Sequence, residues 1–339
     1  MAQKVMIAGA SAGVGRALAC TYARRGAEIG LIARGRAGLE ATERDCLALG
    51  AVDAVSHRVD VADADAVQRA ADATAERFGG IDVWINSAMV SVFAPVWEIT
   101  AAEFRRVTEV TYLGTVHGTL AALRHMRPRG RGAIVQVGSA LAYRGIPLQS
   151  AYCASKHAIQ GFNDSLRAEL LHECPGITLS MVQLPALNTP QFSWVRTRLP
   201  RHPQPVPPIF QPEVAADAIV WAADNGTREL NVGGPTLQAR IGDVIAPGLL
   251  DRLLSRSSMG FDAQQTDAPI DRSTWRDNLD RPEDEERDRG AHGVFDDRAK
   301  DRSLELWAAT HKPSAGLLIA GLGAAARTLA TVARARARR

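Results

Sequence analysis

The chain has 339 residues, of which 46% are hydrophobic and 23% are charged. These fractions are ordinary for a soluble globular protein, and they exclude a chain that is disordered throughout or a polytopic membrane protein. The formal net charge of +3 is too balanced to predict nucleic acid as a partner. The four cysteines and eight histidines show neither metal-ligand nor disulfide-framework spacing, so no metal site is expected.

Short apolar runs rich in β-branched residues alternate with helical patterns along most of the chain. Strands are predicted over residues 4–8, 28–33, 55–59, 81–85, 132–137, 177–182 and 229–232. Helices are predicted between them, over residues 14–25, 37–49, 65–78, 101–126, 150–173 and 213–224. This alternation predicts an α/β fold, a doubly wound Rossmann-type parallel sheet, with its ligand crevice at the carboxyl ends of the strands.

The distribution of charge predicts the domain organisation. Residues 262–305 contain fourteen acidic and eight basic residues, whereas residues 306–339 contain six basic residues and no acidic ones. We therefore predict a single folded domain over residues 1–256 with a C-terminal extension. The extension is expected to be a polar acidic linker or loosely packed arm over 257–305, then a helix over 306–339, apolar first and basic at its end.

The C-terminal segment leaves several alternatives open. Its uncharged run over residues 313–326 is shorter than the ~20 residues that span a bilayer, and Arg327 interrupts it. Spanning a membrane, lying on its cytoplasmic surface through the terminal arginines, and packing on the domain or on another copy all remain open. A cytoplasmic protein is predicted, with membrane association through this tail as the open alternative.

A glycine-rich turn joins the first predicted strand to the first predicted helix. Gly9, Gly13 and Gly15 let the backbone turn tightly and approach a pyrophosphate, with Ser11 and Val14 in the same turn. The helix that follows supplies free N–H groups and a partial positive charge at its N-terminus. At the first strand–helix junction, this pattern predicts a dinucleotide site.

The turn from Ala8 to Gly15 resembles the cofactor turn of the classical short-chain dehydrogenases/reductases, and further motifs follow in that family's order over about residues 3–235. The resemblance implies a dinucleotide-binding catalytic domain over 1–256 and a homo-oligomer. It implies that adenine contacts Asp60 and Val61, and that Thr189 contacts the nicotinamide amide. Two further cofactor-binding positions, Asn86 and Ala88, belong to the motif after the fourth strand.

The end of the second strand bears on the choice of cofactor. A carboxylate there would bind the ribose 2′-OH of NAD and repel a 2′-phosphate, but the strand ends in Ala33, which Arg34 follows. A guanidinium pairs with phosphate through its planar fork. We therefore expect NADP(H) to be favoured over NAD(H), with Arg34 as a cofactor-binding residue; a solvated loop arginine is the alternative.

Tyr152 and Lys156 lie four residues apart in the long helix over 150–173, so they share one helix face. Carbonyl reduction needs a proton donor at the developing alkoxide, and a neighbouring ammonium lowers the pKa of a phenol. Ser139, at the end of the fifth predicted strand, carries a hydroxyl that can polarise the substrate oxygen.

In the family that the sequence resembles, Tyr152 is the general acid/base, Lys156 lowers its pKa and binds the nicotinamide ribose, and Ser139 orients the substrate. The family's fourth catalytic residue, an asparagine, falls at Thr111, where this sequence departs from the pattern. The departure affects the proton relay and not the hydride chemistry.

Residues 190–212 are rich in proline and contain Phe192, Trp194 and Phe210. In the family this region caps the substrate, so we expect a substrate lid whose aromatic side chains favour an apolar substrate. Arginines in the same segment either attract an anionic group or are merely solvated.

Together these features predict an enzyme that transfers a hydride between NADP(H) and a carbonyl or alcohol carbon of a small-molecule substrate. The alternative is a dinucleotide-binding scaffold with low turnover, recruited to a membrane or a partner by its tail. Thr111 and the long extension motivate that alternative.

Overall fold

The computed structural model describes residues 2–311. Most of the helix predicted over residues 306–339 lies outside the described residues. Within them, no helix combines the length and the hydropathy that a membrane span requires.

Seven parallel strands form the central sheet, as predicted. In chain order they are β1 (Lys4–Ala8), β2 (Glu28–Ala33), β3 (Asp53–Arg58), β4 (Val83–Asn86), β5 (Gly132–Val137), β6 (Ile177–Gln183) and β7 (Glu229–Asn231). Across the sheet their order is β7-β6-β5-β4-β1-β2-β3. The order reverses direction at β1, and β1 pairs with β2 on one side and with β4 on the other. A ligand crevice is expected at this switch point, at the carboxyl ends of the strands.

Helices cover both faces of the sheet, and each face has its own apolar cluster. In chain order the helices are α1 (Gly13–Arg24), α2 (Arg36–Ala48), α3 (Ala64–Phe78), α4 (Ala101–Val107), α5 (Gly114–Met126), α6 (Ser150–Glu173), α7 (Pro212–Asn225), α8 (Gly234–Ile245), α9 (Pro247–Leu254) and α10 (Leu304–Thr310). On one face α1 packs against α2 and α7; on the other α3 packs against α5. Burial on both faces explains why the inner strands β1, β2, β4 and β5 are mainly apolar, whereas the edge strands β3 and β7 carry polar residues.

The long helix predicted over residues 101–126 is divided. A π-helical segment, Thr108–Leu113, separates α4 from α5. Thr111 lies in this segment, and its hydroxyl exchanges hydrogen bonds with the backbone of Val90. Hydrophobic periodicity does not distinguish a π segment from a continuous α-helix, so the sequence pattern misses it.

Short irregular elements fill residues 190–212. They comprise a 3₁₀ turn, Pro190–Ser193, and the short strands Arg196–Thr197, Arg201–Pro203 and Ile209–Phe210. Prolines prevent a regular helix here. Helices α8 and α9 follow β7, in a stretch where the sequence pattern predicts no element.

Residues 257–303, called the arm below, lie across the domain with little regular structure. The polar composition predicts a solvated or loosely packed segment, yet Leu279 and Phe295 are buried against the domain. The arm also forms ion pairs with the domain, such as Arg58–Glu285 at 2.8 Å. Composition misses this packing because the partners of the acidic residues are arginines far away in the sequence. The predicted boundary after residue 256 remains a prediction.

Candidate active site

The glycine turn lies at the carboxyl end of β1, where the chain passes close to the loop after β4. At Gly9, whose φ is +86°, a Cβ would lie 2.6 Å from the Cα of Ala88. At Gly15 a Cβ would lie 1.9 Å from the carbonyl oxygen of Gly9. Only glycine fits at these positions, so the backbone at the start of α1 can approach a pyrophosphate closely. This cradle fits the dinucleotide that the motifs imply.

A cavity of about 420 Å³ extends from the glycine turn to the predicted catalytic residues. It follows the carboxyl ends of the strands, as expected for the crevice of a doubly wound sheet. The predicted site residues that line it are Gly9, Ser11, Gly13, Val14, Gly15, Arg34, Asp60, Val61, Ala88, Ser139, Tyr152, Lys156 and Thr189. The fold thus brings together in one cavity residues that the sequence places in seven separate segments.

Tyr152 and Lys156 lie in the first turns of α6, and Ser139 follows β5. Lys156 is 97% buried, and its ammonium donates to the carbonyl oxygen of Val137 at 2.6 Å. Its nitrogen lies 5.5 Å from the centre of the Tyr152 ring. The Ser139 amide donates to Gln183 Oε1 at 2.8 Å, which fixes the end of β5 against β6. Two strands and one helix therefore hold the three side chains in one place.

Burial dominates the acid–base properties of this group. It raises the pKa of the Tyr152 phenol above its ordinary value, and a hydrogen-bonding contact with Ser139 opposes that rise. Burial also lowers the pKa of Lys156 to about 8. Lys156 is therefore mostly protonated at neutral pH, and its positive charge favours the phenolate form of a neighbouring tyrosine.

Thr111 and Asn86 do not line the cavity in the part of the chain that the structure describes. Thr111 Oγ1 donates to the Val90 carbonyl at 3.0 Å and accepts from the Val90 amide at 3.2 Å. These two bonds fix Val90, which lies in the loop after β4 and lines the cavity. Asn86 accepts from the indole N–H of Trp84 at 2.8 Å and donates to Gln136 at 2.9 Å. The relay role of Thr111 and the cofactor contact of Asn86 remain predictions.

Arg34 is held by the arm. Its guanidinium donates to the carbonyl oxygens of Leu279, at 3.1 Å, and of Asn278. Burial lowers the pKa of Arg34, and the nearby Asp60 carboxylate opposes that shift. Arg106 donates to the same Leu279 carbonyl at 3.1 Å, so two guanidinium groups hold this part of the arm near Asp60, at one end of the cavity.

The arm also reaches the glycine turn. The Gly13 amide donates to the Gly290 carbonyl at 3.1 Å. Buried Arg16, on α1, pairs with Asp288 at 3.3 Å and with Asp45 at 2.7 Å. The motifs of the sequence did not indicate these arm residues. The available signal was the acidic composition of the arm, which complements the arginines around the crevice.

Much of the remaining cavity lining is apolar. It includes Leu141, Ile146, Phe192, Trp194, Val206 and Pro207, together with the amides of Gln149 and Gln204. The segment predicted as a lid therefore contributes to this wall, although Phe210 does not line it. Helix α8 adds Pro235 and Ala239.

The arginines of the lid segment are engaged by carboxylates of this chain. Arg198 donates to Glu103 at 2.9 Å, Arg196 pairs with Asp280 at 2.8 Å, and Arg201 pairs with an acidic arm residue. None of the three lines the described cavity. Their placement gives no support to an anionic substrate group.

The sequence pattern of the short chain dehydrogenase family matches residues 3–198. The chain therefore belongs to the short-chain dehydrogenases/reductases, in agreement with its glycine turn, its sheet order and the group formed by Ser139, Tyr152 and Lys156. Such enzymes are oxidoreductases that use a nicotinamide dinucleotide.

Relatives of known sequence share much of the chain. An uncharacterized oxidoreductase, YxnA, of Bacillus subtilis (strain 168) is 31% identical over 256 residues, 75% of this chain and 72% of the relative. The D-threitol dehydrogenase of Mycolicibacterium smegmatis is 32% identical over 248 residues, 69% of this chain and 92% of the relative. The human dehydrogenase/reductase SDR family member 7 is 36% identical over 181 residues, 52% of this chain and 53% of that protein.

Proposed function

We propose that this protein transfers a hydride between NADP(H) and a carbonyl or alcohol carbon of an apolar small molecule. The observation that carries the proposal is the convergence of Ser139, Tyr152 and Lys156 in one cavity with the glycine turn. The reaction follows from what those side chains can do at the substrate oxygen.

The nicotinamide ring, when bound, supplies the hydride in reduction and accepts it in oxidation. In reduction the Tyr152 hydroxyl gives its proton to the oxygen of the carbonyl group, whose carbon has received the hydride, and the product is an alcohol. Lys156 stabilises the phenolate that remains, and Ser139 donates a hydrogen bond to the substrate oxygen. In oxidation the proton returns to Tyr152.

The substrate class follows from the wall of the cavity. Phe192 and Trp194 line the cavity together with Leu141, Ile146 and Val206, and the amides of Gln149 and Gln204 are polar groups in the same lining. The arginines of the lid are paired elsewhere. An uncharged, largely apolar carbonyl compound or alcohol fits this environment.

The preference for NADP(H) rests on Ala33 and Arg34, which lie at the end of β2. Arg34 lines the cavity, and β2 lacks the carboxylate that would select the ribose 2′-OH. The proposal assigns to Arg34 the charge that attracts a 2′-phosphate.

A homo-oligomer and a cytoplasmic location are part of the same proposal, as is contact of the basic tail with a membrane surface. The tail lies outside the described residues. Sedimentation of the full chain with anionic vesicles, reversed by high salt, tests the membrane contact, because salt screens such attraction. Failure to sediment at low salt would exclude it.

The reaction is tested by oxidation of NADPH in the presence of a panel of ketones and aldehydes. Turnover of apolar carbonyl compounds supports the proposal. Tight cofactor binding without turnover on any compound would instead favour the low-turnover scaffold, which no feature of the described site supports.

A further inference from the structure

The end of β2 lacks a carboxylate in the sequence, but the arm brings one there. A Cβ built on Gly35, two residues after β2, would lie 1.8 Å from Asp284 Oδ1. A Cβ built on Gly38, in the first turn of α2, would lie 2.5 Å from Asp284 Oδ2 and 2.9 Å from the Cβ of Ser11. The Asp284 carboxylate therefore lies between the end of β2, the start of α2 and the glycine turn.

This carboxylate lacks a hydrogen-bond donor within the described residues. Asp284 is only 5% exposed and lines the cavity. Among residues 2–311, no side chain or backbone N–H donates to its carboxylate oxygens, although most other acidic residues of the arm have such partners. Its oxygens are not among the fully enclosed polar atoms without a partner and reach the cavity, so they can accept a hydrogen bond from a ligand bound there.

The backbone around Asp284 is fixed by the N-terminus of α2. The Gly38 amide donates to the Asp284 carbonyl at 3.1 Å, and the Ala37 amide donates to the Glu285 carbonyl at 3.2 Å. The Glu285 side chain accepts from the Arg36 amide at 3.2 Å. These contacts hold the carboxylate against the cavity, so its position is not that of a mobile surface acid.

The same part of the arm occupies two of the five N–H donors of Arg34. The guanidinium nitrogens Nη1 and Nη2 donate to the carbonyl oxygens of Leu279 and Asn278. A 2′-phosphate needs such donors and repels a nearby carboxylate, whereas a ribose hydroxyl needs an acceptor. The arm therefore opposes part of the attraction that Arg34 would exert on a 2′-phosphate.

We propose that Asp284 is a cofactor-selecting residue, which accepts a hydrogen bond from a ribose hydroxyl of NAD(H) and opposes the 2′-phosphate of NADP(H). The inference rests on the proposed function in one respect, that the cavity holds a nicotinamide dinucleotide. The arm thus supplies the carboxylate that β2 lacks. The difference in binding free energy between NADP(H) and NAD(H) then depends on how strongly Arg34 attracts the 2′-phosphate and how strongly Asp284 repels it.

The test is equilibrium binding of NADPH and NADH to the full-length protein, measured by calorimetric titration without substrate. Asp284→Asn removes the charge and keeps the shape. We expect NADPH to bind about tenfold more tightly, the size of one charge interaction of about 1.4 kcal/mol. NADH should bind more weakly, because a neutral amide oxygen is a poorer acceptor than a carboxylate. The matched control is Glu286→Gln, which removes the same charge from an exposed neighbour in the arm and should leave both affinities unchanged.

The outcomes separate this inference from the proposed function. An unchanged ratio of the two affinities in Asp284→Asn would overturn the inference alone. Equal gains for both cofactors would also overturn it, because the arm would then only obstruct the cavity. The same change in Glu286→Gln would show an effect of net charge and not of position. Failure of the wild-type protein to bind either cofactor would overturn the proposed function and this inference with it.

A second measurement uses the wild-type protein and does not depend on the variant folding. Hydrogen–deuterium exchange of residues 278–290 is expected to slow with saturating NADH, because a ribose hydroxyl completes the contacts of Asp284. With saturating NADPH it is expected to quicken, because the 2′-phosphate displaces the arm. Equal protection by both cofactors would contradict the inference.

Discussion

The domain and the arm are built by different physical means. In the domain, apolar strands lie between two layers of helices, and the large side chains of β1 and β2 are almost completely buried. The arm has little regular structure; its contacts with the domain are ion pairs, backbone hydrogen bonds and a few buried side chains such as Leu279. The domain places the groups for chemistry, and the arm places a charge at the opposite end of the same cavity. Substitutions in the domain and in the arm are therefore expected to change catalysis and cofactor choice separately.

The largest effect is expected on the reaction rate, from a substitution of Tyr152 in the domain. Tyr152→Phe removes the proton donor but keeps the ring, so packing survives and kcat should fall by at least about 10²-fold. Cofactor affinity should change little, which titration checks beside the steady-state rate. Near wild-type turnover in Tyr152→Phe would remove this residue from the mechanism.

A matched pair of leucines compares the packing of the two regions. Leu18 on α1 and Leu279 in the arm are both fully buried. Leu18→Ala should lower the free energy of unfolding by about 2–5 kcal/mol. Leu279→Ala should leave the unfolding of the domain nearly unchanged and speed hydrogen exchange at the Gly13 and Gly38 amides, which bond to the arm. Denaturant unfolding and exchange rates report the two effects. Equal losses in unfolding free energy would show that the arm and the domain are one cooperative unit.

Substitution of Arg34 tests whether the domain or the arm determines the affinity for the 2′-phosphate of NADPH. Arg34→Ala should weaken NADPH binding by about 1.5–3 kcal/mol, the range for a hydrogen bond to a charged group, and NADH binding by much less. Arg36→Ala is the control, because Arg36 is exposed and pairs only loosely with Glu40, at 4.0 Å. Equal losses of both cofactors in Arg34→Ala would indicate that this arginine only anchors the arm.

The smallest effect is expected at a surface ion pair of the arm. Glu285→Gln removes the pair with Arg58, in which both side chains are partly exposed. Such a pair contributes less than about 1 kcal/mol, so exchange of the arm amides should rise by less than about fivefold. High salt should reproduce the change in the wild-type protein. A complete loss of protection would show that charge, and not Leu279, holds the arm.

Local patterns account for the parts of the structure that the sequence predicts well. The bounds of β1, β2, β5 and α6 agree with prediction, since each is a sustained apolar or helical pattern. The glycine turn and the spacing of Tyr152 and Lys156 are also local, so the family could be identified before the fold.

The remaining features depend on contacts between distant residues. Arg34 and Leu279 are 245 positions apart, and the sequence around either residue gives no indication of their contact. From the sequence alone, Arg34 is therefore interpreted by its position after β2, and no residue of the arm is predicted to line the cavity. The π-helical turn at Thr111 is missed for the opposite reason, because its local pattern is that of an ordinary helix.

Because the arm follows the domain in the sequence, the ribosome synthesises the arm after the domain. The last strand of the central sheet ends at Asn231, and synthesis at about 5–20 residues per second reaches Asp284 only about 3–10 s later. Contacts between distant segments also form late in folding, since loop closure must precede them. The crevice of a nascent molecule is therefore open before the arm exists, and a dinucleotide bound in that interval is enclosed without any need for the arm to open.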